Sequence, residues 1–590
     1  MMRGNFEVPD LPLRKLQFSR DKTFGTAVES EWYLAKVLGL REPAGVDSRL
    51  MIDSYSKRGL GLGADISYTR NDYFGNINGY IIDDKGKDDL GRNRQNIEPE
   101  KTLRGMLNFR HRHFLPYNWQ LTLETSYISD EHYLEAFNRE EYFSGRGRDT
   151  IMHLKWLKDN RAFSILGNWR INDFADQLEE LPSLQYHLTG ESLFNDKFTF
   201  YSDSIAGRYR QRIGKDHNLR ISTETFTFGS TRAELEMPLK FTKGNVVPFI
   251  AGTFGYDDRG GFSRGKAIGT SSQSGEREVY IGQAGVRAST QYWKYFDVRS
   301  KFWDVNGIRH IVKPYANVSI FTESAEEVKQ RDVFSLGVLQ RWQTKRGQSA
   351  GGEPQASRPS SRGTSPAGGE KSRVLDWMRL NLEYSAVSDN TNIKRADRVL
   401  WNNSFAPLSN ILAPDIFFGD LTGYRTFETF GPQRDSFNAD YIWRLSDTTA
   451  ILSDLNYDVK DNAIEQFNIG LSRLVWPNLS YYIGTRYKRS IEIDGEKGSN
   501  AVTFAMTYRL SPRYTISFAH QYDFKRDGQI STQVSLIRRY HRLYYGLTYG
   551  VDESLDRRTI MLSIWPEGLG ELGFGSRSLV GLETPKERNY

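Results

Sequence analysis

The 590-residue chain contains no cysteine. Disulfide frameworks, thiolate metal sites and cysteine nucleophiles are therefore excluded. It also lacks any run of about 18 apolar residues, so no helix of it can span a bilayer. An excess of one charge is missing too. Its 79 basic and 73 acidic side chains leave a formal net charge of +6, and no basic stripe marks a nucleic-acid face. The opening residues Met1–Asp10 hold no apolar h-region of a secretory signal. Gly-x-Ser-x-Gly, His-Glu-x-x-His and Walker patterns are absent. No catalytic, cofactor-binding or metal-binding set is assigned, and the expectation is a protein that is not an enzyme and carries no cofactor.

What is present is aromatic and alternating. Trp, Tyr and Phe number 12, 32 and 34, yet the mean hydropathy is −0.59. A soluble core would hide that many rings, whereas a membrane barrel sets them on its outer face and in interfacial girdles around a polar lumen. Period-two alternation runs through segment after segment. Val502, Phe504, Met506, Tyr508 and Leu510 oppose Thr503, Ala505, Thr507 and Arg509. Leu543, Tyr545, Leu547, Tyr549 and Val551 oppose Tyr544, Gly546, Thr548 and Gly550. Trp119, Leu121, Leu123 and Tyr127 oppose Gln120, Thr122, Glu124 and Ser126. Short connections such as Ser511-Pro512-Arg513 make neighbours antiparallel.

The alternation gives between about 24 and 29 strand candidates, and the preference of closed barrels for even numbers selects about 26. The fold class is all-β: a transmembrane antiparallel β-barrel, apolar side toward lipid. A charge on the lipid face at the bilayer midplane costs ~2–4 kcal/mol, which fixes that orientation. Barrels are exported before insertion, so the sequence is expected to lack its signal and true N-terminal part. Residues 1–24 read as a residual N-terminal segment, 25–566 as the barrel and 567–590 as a tail. The Gly/Ser/Pro-rich stretch at 344–373 reads as a disordered loop. Ser129–Arg148 reads as a long loop in which His132–Phe137 forms a short helical turn. Gly59, Gly61 and Gly63 read as crowding on one strand face rather than as a phosphate loop, and His111 and His113 share a strand face without an evident third ligand.

Several stretches resemble the LptD family of lipopolysaccharide assembly proteins. They are Val46-Asp47-Ser48-Arg49 with Arg58-Gly59-Leu60-Gly61, Ser129–Leu134, Leu181–Tyr186, and above all Gly307–Tyr315 with its Arg309-His310 and Pro314. The resemblance implies a 26-stranded barrel of the cell outer membrane. Such a barrel takes lipopolysaccharide from periplasmic Lpt bridge proteins, holds an LptE lipoprotein plug, and meets outer-membrane lipids. Saccharide would pass through the lumen and lipid A would leave between the first and last strands. On this reading the seam pairs Thr26–Val37 with Arg557–Trp565. The lateral gate would then comprise Val28, Glu29, Glu31, Trp32, Leu34 and Pro43 opposite Ile560, Leu562 and Ile564. Val28, Trp32 and Leu34 would face lipid, and Pro43 would weaken pairing or simply serve a turn. The family's periplasmic β-jellyroll is not seen in the sequence. A passive porin or nutrient channel, constricted by the 344–373 loop, is the alternative, and an outer-membrane enzyme is the third.

Overall fold

The computed structural model describes residues 12–566 except 92–93, 145–148, 176, 213, 215–223, 259–276, 324–331, 347–372, 389–434, 476–477, 490–497, 526–527 and 554–555. Twenty-eight strand segments form one antiparallel sheet, and the first, Leu13–Asp21, pairs with the last, Arg557–Pro566, so the sheet closes on itself. Two positions in the ring are each filled by a broken strand. Thr225–Glu236 and Leu239–Phe241 both lie against Gly244–Asp257, and Arg277–Thr290 and Tyr292–Ser300 both lie against Val305–Glu323. The first break falls at Met237-Pro238, where proline has no N–H for the ladder. The closed ring therefore has 26 strands, as the alternation predicts. Closure leaves no edge along the barrel wall, the only way a sheet this size can sit in hydrocarbon.

Alternation sorts the side chains by face. Ile52, Leu62, Ile77, Ile81 and Leu107 are exposed on the outside, where lipid chains solvate them. Gln17, Asp53, Asn108, Arg232, Glu234 and Gln283 are buried on the lumen side. At the turn rim, Tyr68, Tyr73, Phe109, His111 and His113 cluster with ring centroids 5.5–6.2 Å apart. This is an interfacial girdle in kind.

One rim carries the short connections at 116–118, 159–160, 447–448, 512–513 and 541–542, along with both ends of the strand ring. The opposite rim carries most of the long ones, 347–372 being the main exception. Short turns face the periplasm in such barrels and long loops face outward. The expected loop at 344–373 is bounded more tightly, because Thr344–Arg346 and Arg373 belong to strands Val333–Arg346 and Arg373–Val387. Both strands meet the short-turn rim there, and 347–372 lies outside the described residues, as does the 567–590 tail. The barrel begins earlier than residue 25: Leu13–Asp21 is already a strand, so the segment at Gly25–Tyr33 is second in the ring.

Candidate functional site: the closing seam and the inward-folded loop

The closing ladder is short. Leu16–Arg20 runs against Ile560–Ile564, five residues on each side. The last strand's other neighbour, Leu543–Asp552, pairs with it over ten. Among the described residues only the broken-strand piece Leu239–Phe241, with three pairs on Gly244–Asp257, has a shorter ladder. A bulge between Leu13 and Lys15 shifts the first strand just beyond the ladder. The seam is clasped at the loop rim. Arg557 Nε donates to Asp21 Oδ2 at 3.0 Å, Lys22 Nζ lies 2.7 Å from Asp556 Oδ2, and the Arg557 guanidinium sits 5.1 Å over the Phe24 ring. The Lys22–Asp556 pair is exposed and screened by salt, so it holds the seam only weakly.

A polar chain crosses the lumen wall beside the seam. Ser563 Oγ donates to Gln17 Oε1 (3.4 Å), Gln17 Nε2 to Glu29 Oε2 (2.6 Å), and the Tyr55 hydroxyl to Glu29 Oε1 (2.7 Å). The Tyr80 hydroxyl donates to Asp53 Oδ2 at 2.8 Å. Tyr80 lies flat on strand Gly59–Thr69: a Cβ on Gly61 would stand 2.0 Å from its hydroxyl and one on Gly63 2.6 Å from its ring. Gly61 and Gly63, two of the three glycines read as crowded, are thus the seat of Tyr80, while Gly59 lies against the Asp83 carbonyl.

Above this chain the 129–144 loop folds into the barrel. Helix Tyr133–Phe137 forms where a helical turn is expected, and Arg139–Ser144 follows it. Tyr133, Leu134 and Phe137 pack with Phe24, Tyr55, Tyr80 and Ile82. Beneath them lies a fully buried ionic cluster. Arg104 donates to Asp130 (2.9 and 2.7 Å), Asp84 (2.8 Å) and Asp88 (2.9 Å), and Arg58 Nη2 lies 2.5 Å from Asp88 and 3.1 Å from Asp84. The Arg58 guanidinium is 4.8 Å over Phe137, and Arg104 is 5.4 Å from the same ring. Burial alone would raise the Asp130 carboxyl, but hydrogen bonds and charge from Arg104 outweigh it and hold it below the usual carboxylate range. Asn172 also accepts from the Ile128 amide at 2.8 Å, tying the loop's start to the next connection.

The residues expected at the gate are split by this arrangement. Ile560, Leu562 and Ile564 do lie on the seam, opposite Arg20, Phe18 and Leu16. Val28, Glu29, Glu31 and Trp32 do not; their strand lies one place further in, between Leu13–Asp21 and Val46–Tyr55. The correction has a physical cause: the bulge at Leu13/Lys15 breaks the alternation of the true first strand. Leu34 opens the short helix Leu34–Val37, and the Pro43 carbonyl accepts from the Val46 amide at 3.0 Å in the following turn. His111 Nδ1 is bonded to the Tyr68 hydroxyl at 2.8 Å, and His113 lies 3.5 Å from Asp72. Among the described residues three carboxylates converge, Asp458, Asp461 and Glu465, and Arg489 bridges the last two at 3.3 and 2.8 Å.

Comparison with known proteins adds the family. A family model described as LptD, LPS transport system D, matches residues 102–259, which include Arg104, Asp130 and the inward-folded loop. No curated protein matches the chain. Among solved structures it is similar to the siderophore receptor PirA from Pseudomonas aeruginosa, at 9% identity over 94% of this chain and 80% of that one, with a TM-score of 0.29. It is also similar to the FrpB iron transporter from Neisseria meningitidis in its apoprotein form, at 7% identity over 94% and 81%, with a TM-score of 0.30. Likeness of that size says nothing of what the chain carries. The closed 26-strand ring is a β-barrel of the outer membrane, and the family match over residues 102–259 fits an LptD-type barrel.

Proposed function

We propose that the barrel inserts lipopolysaccharide into the outer leaflet, taking the saccharide through its lumen and releasing the lipid part sideways through the seam between Leu13–Asp21 and Arg557–Pro566. The observation that carries this reading is the five-residue closing ladder, half the length of the ladder on the far side of the last strand. Lipid A must avoid water and sugar must avoid hydrocarbon. A wide polar lumen beside an openable wall meets both demands together. The family match supports lipopolysaccharide transport in the broad sense. Within this reading the inward-folded loop lines the lumen at the loop rim beside the seam's clasp, which it contacts through Phe24, the ring under Arg557. An LptE-type plug and periplasmic Lpt bridge proteins are the partners the reading calls for. The barrel would do no bond chemistry of its own.

Depletion of the protein in its own cells tests the reading. Lipopolysaccharide should accumulate short of the cell surface. Normal surface lipopolysaccharide with loss of uptake of one solute would refute insertion and favour a channel.

A further inference from the structure

One strand of the sheet leaves the ring. Segment Tyr292–Ser300 pairs with Val305–Val312 on one side and with no other strand among the described residues. On its other side the neighbouring ladder ends where Gly244 meets Thr290. The hairpin therefore projects nine residues past its neighbour on the short-turn rim, roughly 30 Å at the usual rise per residue. Its outer edge offers a row of backbone donors and acceptors that only water or another strand can satisfy.

The side chains are as unusual as the edge. Trp293 (60% exposed) and Tyr295 (54%) lie on the face continuous with the lumen. Tyr292 (53%) and Phe296 (40%) lie on the face continuous with the lipid side. The two acids of the hairpin are each held by an arginine: Asp297 by Arg299 at 3.3 Å and Asp304 by Arg346 at 2.9 Å. The outward charge is then positive, from Lys294, Lys301 and Arg309, with Arg309 4.8 Å over Trp293 and Lys294 5.3 Å from Phe296. A membrane surface would cover one face of this ribbon and leave the other wet. A strand added to the edge covers both, because its successive side chains fall on alternate faces.

We infer that Tyr292–Ser300 is a docking edge for an extended, acidic strand of a periplasmic partner protein, joined to the barrel by strand addition. Backbone pairing supplies the affinity, and the aromatic and basic side chains on the two faces select the partner. An open edge on this rim calls for such a partner whatever the cargo.

The test places a photoreactive phenylalanine analogue at Trp293 or at Phe296 in the whole chain, expressed in its own outer membrane. Strand addition requires that both positions form adducts with the same polypeptide. Two further variants, Lys294→Pro and Tyr295→Pro, each remove one backbone donor. In an antiparallel hairpin one of the two faces the ladder and the other the open edge. Both should abolish the adducts, while the barrel keeps its heat-modifiable migration. Adducts to phospholipid from Phe296 alone would identify a lipid surface and overturn the inference. So would the absence of adducts at both positions, or adducts that survive both prolines.

Discussion

Arg104 is the residue on which the inward-folded loop depends. It is ion-paired with Asp84, Asp88 and Asp130, all of them buried. Breaking a buried pair leaves uncompensated charge, and Arg104→Met should cost ~3–5 kcal/mol in the stability of that region. Limited proteolysis should then cut within 129–144 while the strands stay protected; an uncut loop would show that the cluster does not hold it. The same site sets a pH window. The folded Asp130 value is depressed, so its contribution is present at neutral pH and is lost only as pH falls through that depressed value, below the ordinary aspartate range of about 4. Hydrogen exchange of residues 129–144 should stay slow down to about pH 4 and quicken below it. Release of the loop already near neutrality would contradict the assignment. Gly61→Val addresses the Tyr80 seat: the added atoms meet the tyrosine ring and hydroxyl, so the bond from Tyr80 to Asp53 should break and thermal stability should fall.

At the scale of elements, the strands were legible because their outer side chains alternate without interruption over the bilayer's width. Ile77 is such a side chain, on the lipid face in the middle of Tyr73–Asp83. Ile77→Lys should destabilise the barrel by ~2–4 kcal/mol in a refolding titration, and a neutral result would mean that this face does not meet hydrocarbon. Where a bulge shifts the alternation, the pattern fades. Leu13, Leu16 and Phe18 are spaced three and then two apart, and the true first strand therefore reads as an unstructured leader. For that reason the seam was expected at Val28–Trp32, one strand further in than Leu13–Asp21, which pairs with the last strand. The ionic cluster was hidden for another reason. Arg58, Asp84, Asp88, Arg104 and Asp130 sit at strand ends and in connections, where charged residues normally meet water, and only the fold brings them together. One local signal pointed to it: Tyr133, Leu134 and Phe137 are large apolar residues in a loop, and they need a place to be buried. The projecting edge at Tyr292–Ser300 carries aromatic residues on both faces, a departure from alternation that becomes meaningful only with its single strand neighbour.

For the whole molecule, the sheet has to be closed to exist in lipid, and on the proposed function it also has to open to release a lipid. Both demands fall on the one ladder between chain ends, where Leu16–Arg20 meets Ile560–Ile564. Because the chain has no cysteine, a single engineered disulfide can be read without interference. Ser19 and Met561 are directly opposed across the seam, and opposed positions in antiparallel strands lie about 4.5–5.5 Å apart, within disulfide reach. The decisive measurement is the arrival of newly made lipopolysaccharide at the cell surface in a Ser19→Cys/Met561→Cys variant, oxidised and then reduced. Lateral release requires that oxidation stop the arrival and that reductant restore it. Undiminished arrival through a fully oxidised seam would show that lipopolysaccharide leaves by another route.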